Sequence, residues 1–97
     1  MAKKISWTPR ALLDRLEILE YWSNRNKSKV YSKKLYELFA SNAKLVAKNP
    51  ELGKATEFAY VRAIIVTDYL IYYNTGDNDI EILTIWDTRR NPKKFKL

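Results

Sequence analysis

Neither cysteine nor histidine occurs in this chain of 97 residues. The first absence excludes disulfides, thiolate nucleophiles and cysteine metal sites. The second removes the usual general base, the commonest metal ligand and every Ser-His or Cys-His pairing. Chemistry is left to Lys, Arg, Tyr, Asp and Glu. Two glycines and three prolines are few, which predicts short links between regular elements. No apolar run reaches the ~18 residues that a membrane helix needs. The opening Met1-Ala2-Lys3-Lys4 leads into a strand-like alternation rather than a signal-peptide core. A cytoplasmic protein with no membrane partner is the expectation.

What is present is a globular composition, 46% hydrophobic and 30% charged, over a length suited to one domain, 1–97, with one modest core. The net charge of +7 is unevenly spread. Residues 25–54 carry eight cations against two anions, and residues 89–97 carry five cations and no anion. Between them, residues 55–88 hold six anions and one cation. Two basic blocks flank an acidic segment, and folding can bring them together. A basic field of this kind attracts nucleic acid or an acidic protein; a solvated basic surface has the same composition.

Periodicity supplies the layout. In KKISWT, Ile5 and Trp7 share one face of a short strand. Thr8 suits an N-cap and Pro9 the first helical position. Leu12, Leu16 and Leu19, widened by Leu13 and Trp22, then mark the expected buried stripe of a first helix. After the polar SNRNKS, a second helix is expected from about Ser28 to Lys48, burying Leu35, Leu38, Phe39, Leu45 and Val46. Pro50 ends it by disfavouring helix at its predecessor. Beyond PELGK the pattern turns to β. The runs 59–66, 69–74 and 80–86 are rich in β-branched and aromatic residues, separated by Thr67-Asp68 and by TGDND, whose Gly76 is able to take positive φ. The fold class predicted is α+β in the order β-α-α-β-β-β, with a helical hairpin packed on a mainly antiparallel four-stranded sheet.

Three places can bear function. Arg62 lies in an apolar strand, where it snorkels from an edge, pairs with Glu57 or Glu81, or faces an anion site. Tyr69-Leu70-Ile71-Tyr72-Tyr73 is either a packed strand or a stacking platform for bases; its interleaved Leu and Ile favour packing. In Asp87-Thr88-Arg89-Arg90-Asn91-Pro92, two adjacent arginines at a strand end are suited to phosphate contacts, and Asp87 is placed to fix the turn by a local ion pair.

The run VRAIIVTDYLIYYNTGDNDIEILTIWDTRRNP, taken with the element order, resembles the RelE/ParE toxin superfamily of bacterial type II toxin-antitoxin systems. The likeness is carried by Arg62 seven residues before Tyr69, by the YLIYY strand, by the arginine-bearing turn IWDTRRNP, and by NPELGK before the sheet. It is sharpest over residues 50–92. The resemblance implies a cognate antitoxin as partner and no cofactor or metal. It divides into two mechanisms. ParE-like members inhibit DNA gyrase without cutting nucleic acid. RelE-like members cut mRNA on the ribosome, and by position their cationic cluster maps to Lys54, Arg62 and Arg89. The nuclease pattern often places a tyrosine or histidine in the closing segment, where this chain has Phe95; Glu57 or Tyr60 would have to carry the proton instead. The resemblance is therefore closer to the ParE side, with Arg62, Arg89, Arg90, Lys93 and Lys94 as target-binding or nucleic-acid-binding residues. A non-toxic binding module on the same fold is the third alternative.

Overall fold

A computed structural model describes residues 2–97. The elements are β1 (Lys4–Trp7), α1 (Pro9–Asn26), α2 (Val30–Lys48), β2 (Lys54–Ala55), β3 (Val61–Val66), β4 (Tyr69–Thr75) and β5 (Asp79–Asp87), followed by one 3-10 turn at Pro92–Lys94. The α+β class and the helical hairpin are as expected. The sheet has five strands rather than four, in the order β1-β5-β4-β3-β2. It is mixed: β1 runs parallel to β5, and the other pairs are antiparallel. The additional strand, β2, pairs only Lys54 with Ala63 and Ala55 with Arg62. Two residues are too few to leave an alternation in sequence, so β2 falls in what reads as a loop.

Thr8 caps α1 as its position predicts. Its Oγ1 accepts from the Ala11 N–H at 3.0 Å and donates to the Leu83 carbonyl at 2.8 Å, which ties the helix start to β5. Pro9 follows at the first helical position. The helix closes at Lys27, in the left-handed region at φ 50°, with its N–H bonded to the Ser23 carbonyl. α2 begins at Val30, two residues later than expected, with no side-chain cap at Lys29. Two hydroxyls join the helices, that of Ser32 buried and that of Ser23 half-buried: Ser32 Oγ donates to the Leu19 carbonyl at 2.7 Å and lies 2.7 Å from Ser23 Oγ.

The core lies between α2 and the inner face of the sheet. Leu35, Phe39, Ala43, Val46 and Ala47 meet Tyr69, Ile71, Tyr73, Ile80, Ile82 and Ile85 there. Phe39 packs edge-on to Tyr69 with ring centroids 5.7 Å apart. Each fully buried large side chain in this set stabilises the fold by roughly 1.5–3 kcal/mol. In α2, Leu35, Phe39 and Val46 are buried as predicted and Leu38 packs partly, whereas Leu45 is exposed and Ala43 and Ala47 face inward in its place.

α1 packs Leu19 and Trp22 of its predicted stripe against the core but is rotated away from the rest. Ala11, Ile18, Leu19 and Trp22 face the core, while Leu12, Leu13 and Leu16 are about half exposed. The reason is polar. Asp14 turns inward, and its Oδ2 accepts from the Thr84 hydroxyl and from the Ile85 N–H, the latter at 3.1 Å. A helix apolar on two faces is oriented by the side chain whose hydrogen bonds are worth most when buried. The outward leucines leave an uncovered apolar strip on the hairpin.

The turns also depart from expectation. Gly76 does not adopt positive φ; Thr67 does, at 55° in the β3–β4 hairpin. A Cβ at Gly76 would meet only the carboxylate end of the exposed Asp79 side chain, which is able to swing aside, so neither φ nor space demands glycine there.

Candidate target-binding surface

Pleating decides which side chains share a face. Tyr69, Ile71 and Tyr73 point into the core, so Leu70 and Tyr72 occupy the outer face, joined through cross-strand pairing by Ala63, Ile65 and Trp86. The closing segment folds back onto this outer face. Phe95 stacks on Tyr72 with centroids 4.5 Å apart and planes 24° apart. It also meets Trp86 edge-on at 5.0 Å and Phe58 at 6.2 Å. Arg90 lies over the Trp86 ring at 4.5 Å, and Arg10, from the first turn of α1, approaches Phe95 at 6.0 Å. Lys93 and Lys94 stand exposed on the 3-10 turn. Its start is capped by Asn91, whose Oδ1 accepts from the Lys93 N–H at 3.0 Å. The outcome is an aromatic patch ringed by Arg10, Arg90, Lys93 and Lys94. Burial and the nearby Glu57 carboxylate push the Tyr72 phenol upward, so it stays neutral through the physiological range.

Arg89 is placed differently from its neighbour. Its guanidinium grips Asp87 through Nε and Nη2, each at 2.9 Å, and the Arg89 N–H reaches the same carboxylate at 2.9 Å. Its Cζ also lies 5.6 Å over the Trp22 ring. The hydrogen bond from Arg89 holds the Asp87 carboxyl below its usual range, and the same bond raises the guanidinium. Below this pair, Trp22 Nε1 donates to the Tyr69 hydroxyl at 2.8 Å, and burial raises the Tyr69 phenol. Tyr69, Asp87, Arg89 and Arg90 line a cavity of about 340 Å³ together with Asp14 and Glu17.

Arg62 belongs to a third setting. Its pairing with Tyr73 places it on the core side of the sheet, where Nη1 donates to the Gly53 carbonyl at 2.7 Å. The Gly53 N–H in turn donates to the Tyr73 hydroxyl at 2.8 Å, which donates to the Pro50 carbonyl at 2.7 Å. The segment 49–54 is thereby pinned to the sheet. Burial raises the Tyr73 phenol. Among the described residues, the Arg89–Asp87 pair is the one salt bridge, so neither Glu57 nor Glu81 neutralises Arg62.

Lys54 and Arg62 are neighbours across β2 and β3, but Lys54 pairs with Ala63 and so projects from the opposite face. Arg89 lies farther away. Arg62 is level with Tyr73 and Asp87 is level with Tyr69, four residues or about 13 Å along β4. Lys54, Arg62 and Arg89 therefore do not converge on one point. Arg90, Lys93 and Lys94 do share a surface, joined by Arg10, which sequence reasoning missed. Its position beside Pro9 marks it only as a first-turn residue, because the contact depends on how the closing segment folds. Tyr60, weighed only as a proton carrier, carries no sequence signal for its observed φ of 64°.

Comparison with known proteins adds two findings. The model of the family described as the ParE toxin of the type II toxin-antitoxin system, parDE, matches residues 5–92. A solved structure titled as the chromosomal ParDE TA system from P. aeruginosa is similar in fold, with a TM-score of 0.78 and 17% identity over 91% of this chain and 98% of that one. No match was found among curated protein sequences.

Proposed function

Since the chain belongs to the ParE toxin family of type II toxin-antitoxin systems, we propose that it acts by docking on a protein target, DNA gyrase, through its basic aromatic face, and that a cognate antitoxin silences it. The observation that carries this reading is the position of Phe95. Where a ribosome-dependent nuclease needs a group able to pass a proton, this chain has a hydrocarbon ring wedged between Tyr72, Trp86 and Phe58. Around it the cations are spread as a docking surface is, over a rim rather than about a single phosphate.

The antitoxin has a natural seat on the helical hairpin. Leu12, Leu13 and Leu16 of α1 and Tyr36 of α2 leave apolar area uncovered on that side. Arg15 lies between Trp7 and Tyr36, at 4.8 and 5.0 Å from their ring centroids. A partner helix with apolar anchors and acidic flanks matches this strip and the net charge of +7. An association of that kind weakens as salt rises.

The decisive experiment is induced expression with and without the adjacent antitoxin gene, followed by two assays on the purified protein. The expected result is growth arrest relieved by the antitoxin, inhibition of gyrase supercoiling, and intact ribosome-bound message. Cleaved message with supercoiling unaffected would overturn the gyrase reading in favour of an mRNA endonuclease. Unaffected growth would favour a non-toxic binding module.

A further inference from the structure

A cavity of about 700 Å³ lies where the end of α2 meets the start of β3, adjoining the aromatic face at Phe58. Its size is that of a small-molecule site. Three cations line it, Lys3, Lys48 and Arg62, against one carboxylate, Glu51. Lys3 is already committed, its Nζ donating to the Gly76 and Asp77 carbonyls. Arg62 uses Nη1 on the Gly53 carbonyl, and a carbonyl removes none of its charge. No side-chain nitrogen or oxygen among the described residues is both buried and without a partner, so the remaining guanidinium donors are open to solvent, and Arg62 lines the cavity. Lys48 is exposed at its rim. Arg62 and Lys48 thus offer a fork and a point charge to the same volume, a pairing suited to a phosphate.

Phe58 and Tyr60 also line the cavity, on a loop built under strain. Thr56 clamps the loop 56–61: its hydroxyl donates to the Val61 carbonyl at 2.9 Å and accepts from the Phe58 N–H at 3.1 Å. The Thr56 N–H also reaches the Val61 carbonyl at 3.2 Å, and the Val61 N–H reaches the Phe58 carbonyl at 3.2 Å. Closing so tight a loop forces Tyr60 to φ 64°. A bulky aromatic residue there is disfavoured where glycine or asparagine would not be. Yet the Tyr60 side chain gains little from packing, being 86% exposed. Strain without compensating burial leaves the ring free to meet a ligand. Phe58 stands beside it in the cavity wall.

We propose that this cavity binds a nucleoside phosphate, the phosphate on Arg62 and Lys48 and the base stacked on Tyr60 and Phe58. The recognised unit is one nucleotide, supplied either free or as the 5′ end of a single strand. The site does not depend on the identity of the toxin's target, and it shares Phe58 with the aromatic patch around Phe95.

Backbone amide NMR shifts recorded on the whole protein test this, with 5′-AMP, inorganic phosphate and a 5′-phosphorylated tetranucleotide as probes. 5′-AMP is expected to move the amides of residues 48–62 and to bind roughly tenfold more tightly than inorganic phosphate, the margin that stacking supplies. Equal affinity for AMP and tetranucleotide assigns the site to free nucleotides, and tighter binding of the tetranucleotide assigns it to strand ends; either result supports the shared chemistry. Lys48→Ser is expected to weaken AMP binding severalfold. Tyr60→Gly removes both the ring and the strain, so it is expected to lose the margin over phosphate while Tm stays level or rises. Amides around the cavity that ignore AMP would overturn the proposal. So would phosphate binding as tightly as AMP, or a Tyr60→Gly protein that binds AMP like the parent.

Discussion

Arg62 and Arg89 occupy opposite ends of the sheet and are held in opposite ways. Arg62 is half-buried and donates to a backbone carbonyl, behind a tyrosine that is fully buried. Arg89 is exposed and bound through two nitrogens to Asp87. A carbonyl orients a guanidinium and leaves its charge whole; a carboxylate orients it and cancels the charge a few ångströms away. The basic stretch 89–97 therefore presents a weaker field than its five cations suggest. Arg90 and the lysines are what it offers outward. The single cation of the acidic segment 55–88 remains an undiluted charge beside a cavity. The two ends also differ in rigidity: the Arg62 end is a chain of hydrogen bonds to core atoms, whereas the Arg89 end is a surface ion pair.

The strongest way to break the Arg62 end is to crowd it. A Cβ on Gly53 would lie 2.5 Å from Tyr73 Oη and 2.9 Å from the Ala63 carbonyl. Gly53→Ala is expected to cost about 3 kcal/mol in denaturant unfolding, at the upper end for overpacking because a buried hydrogen bond goes with it. A loss below about 1 kcal/mol would mean that segment 49–54 yields easily. Tyr73→Phe is the milder cut. It strands the Gly53 N–H and should cost roughly 1–3 kcal/mol. Hydrogen exchange should quicken across residues 50–54 and stay unchanged at Arg89.

The same tyrosine gives the Arg62 end a pH dependence. The folded state raises the phenols of Tyr69, Tyr72 and Tyr73, chiefly by burial. The unfolded chain therefore loses these protons first. Their contribution to stability is complete below about pH 10, the ordinary tyrosine value, and is lost as pH climbs toward the raised folded values. Unfolding measured from pH 8 to 12 should show a falling limb that is shallower in Tyr73→Phe. An unchanged slope would place the alkaline sensitivity at Tyr69 and Tyr72.

At the closing segment the expected changes are smaller. Phe95→Ala removes a ring that contacts three others and should cost about 1 kcal/mol, the usual worth of aromatic pairs at a half-buried site. Gyrase inhibition, if the aromatic face is the docking surface, should fall further than stability does. Phe95→Tyr keeps the stack and should leave both nearly intact. Message cleavage gained by Phe95→Tyr would show that the surrounding cations suffice for catalysis once a proton carrier is present.

These contrasts explain what was legible beforehand. Regular elements of four residues or more announce themselves through period and through Thr8, Pro9 and Pro50, and the order of elements followed. The rotation of α1 was hidden because Leu12, Leu13 and Leu16 are at least as apolar as Ala11 and Ile18, which face the core in their place. Only the distant partners of Asp14, Thr84 and Ile85, decide between the two faces. The arginines stand out as candidates by residue type, yet what each one does depends on what it meets across the sheet. Asp87 and Arg89 are two residues apart, and their pairing was readable. Arg62 and Gly53 are joined by β2, a strand too short to see. Tyr60 had no signal, since its φ is dictated by hydrogen bonds of Thr56 that the sequence does not display.

The smallest expected effect tests the Arg89 end itself. Hydrogen bonding from Arg89 lowers the folded pKa of Asp87. A lowered carboxyl contributes stability that is present above the unfolded value, near pH 4, and lost as pH falls through the folded value. Asp87→Asn should remove that acid-side dependence while changing neutral stability by well under about 1 kcal/mol, because the Arg89 side chain is 51% exposed and solvent screens the pair. The substitution also frees one guanidinium charge, so it should strengthen binding to an anionic partner at low salt and lose that advantage at high salt. Unfolding from pH 2 to 6 and binding at two ionic strengths read the two effects separately. A neutral-pH loss as large as that of Tyr73→Phe would show that the surface pair is as firmly built into the fold as the buried network, and would erase the distinction between the two ends.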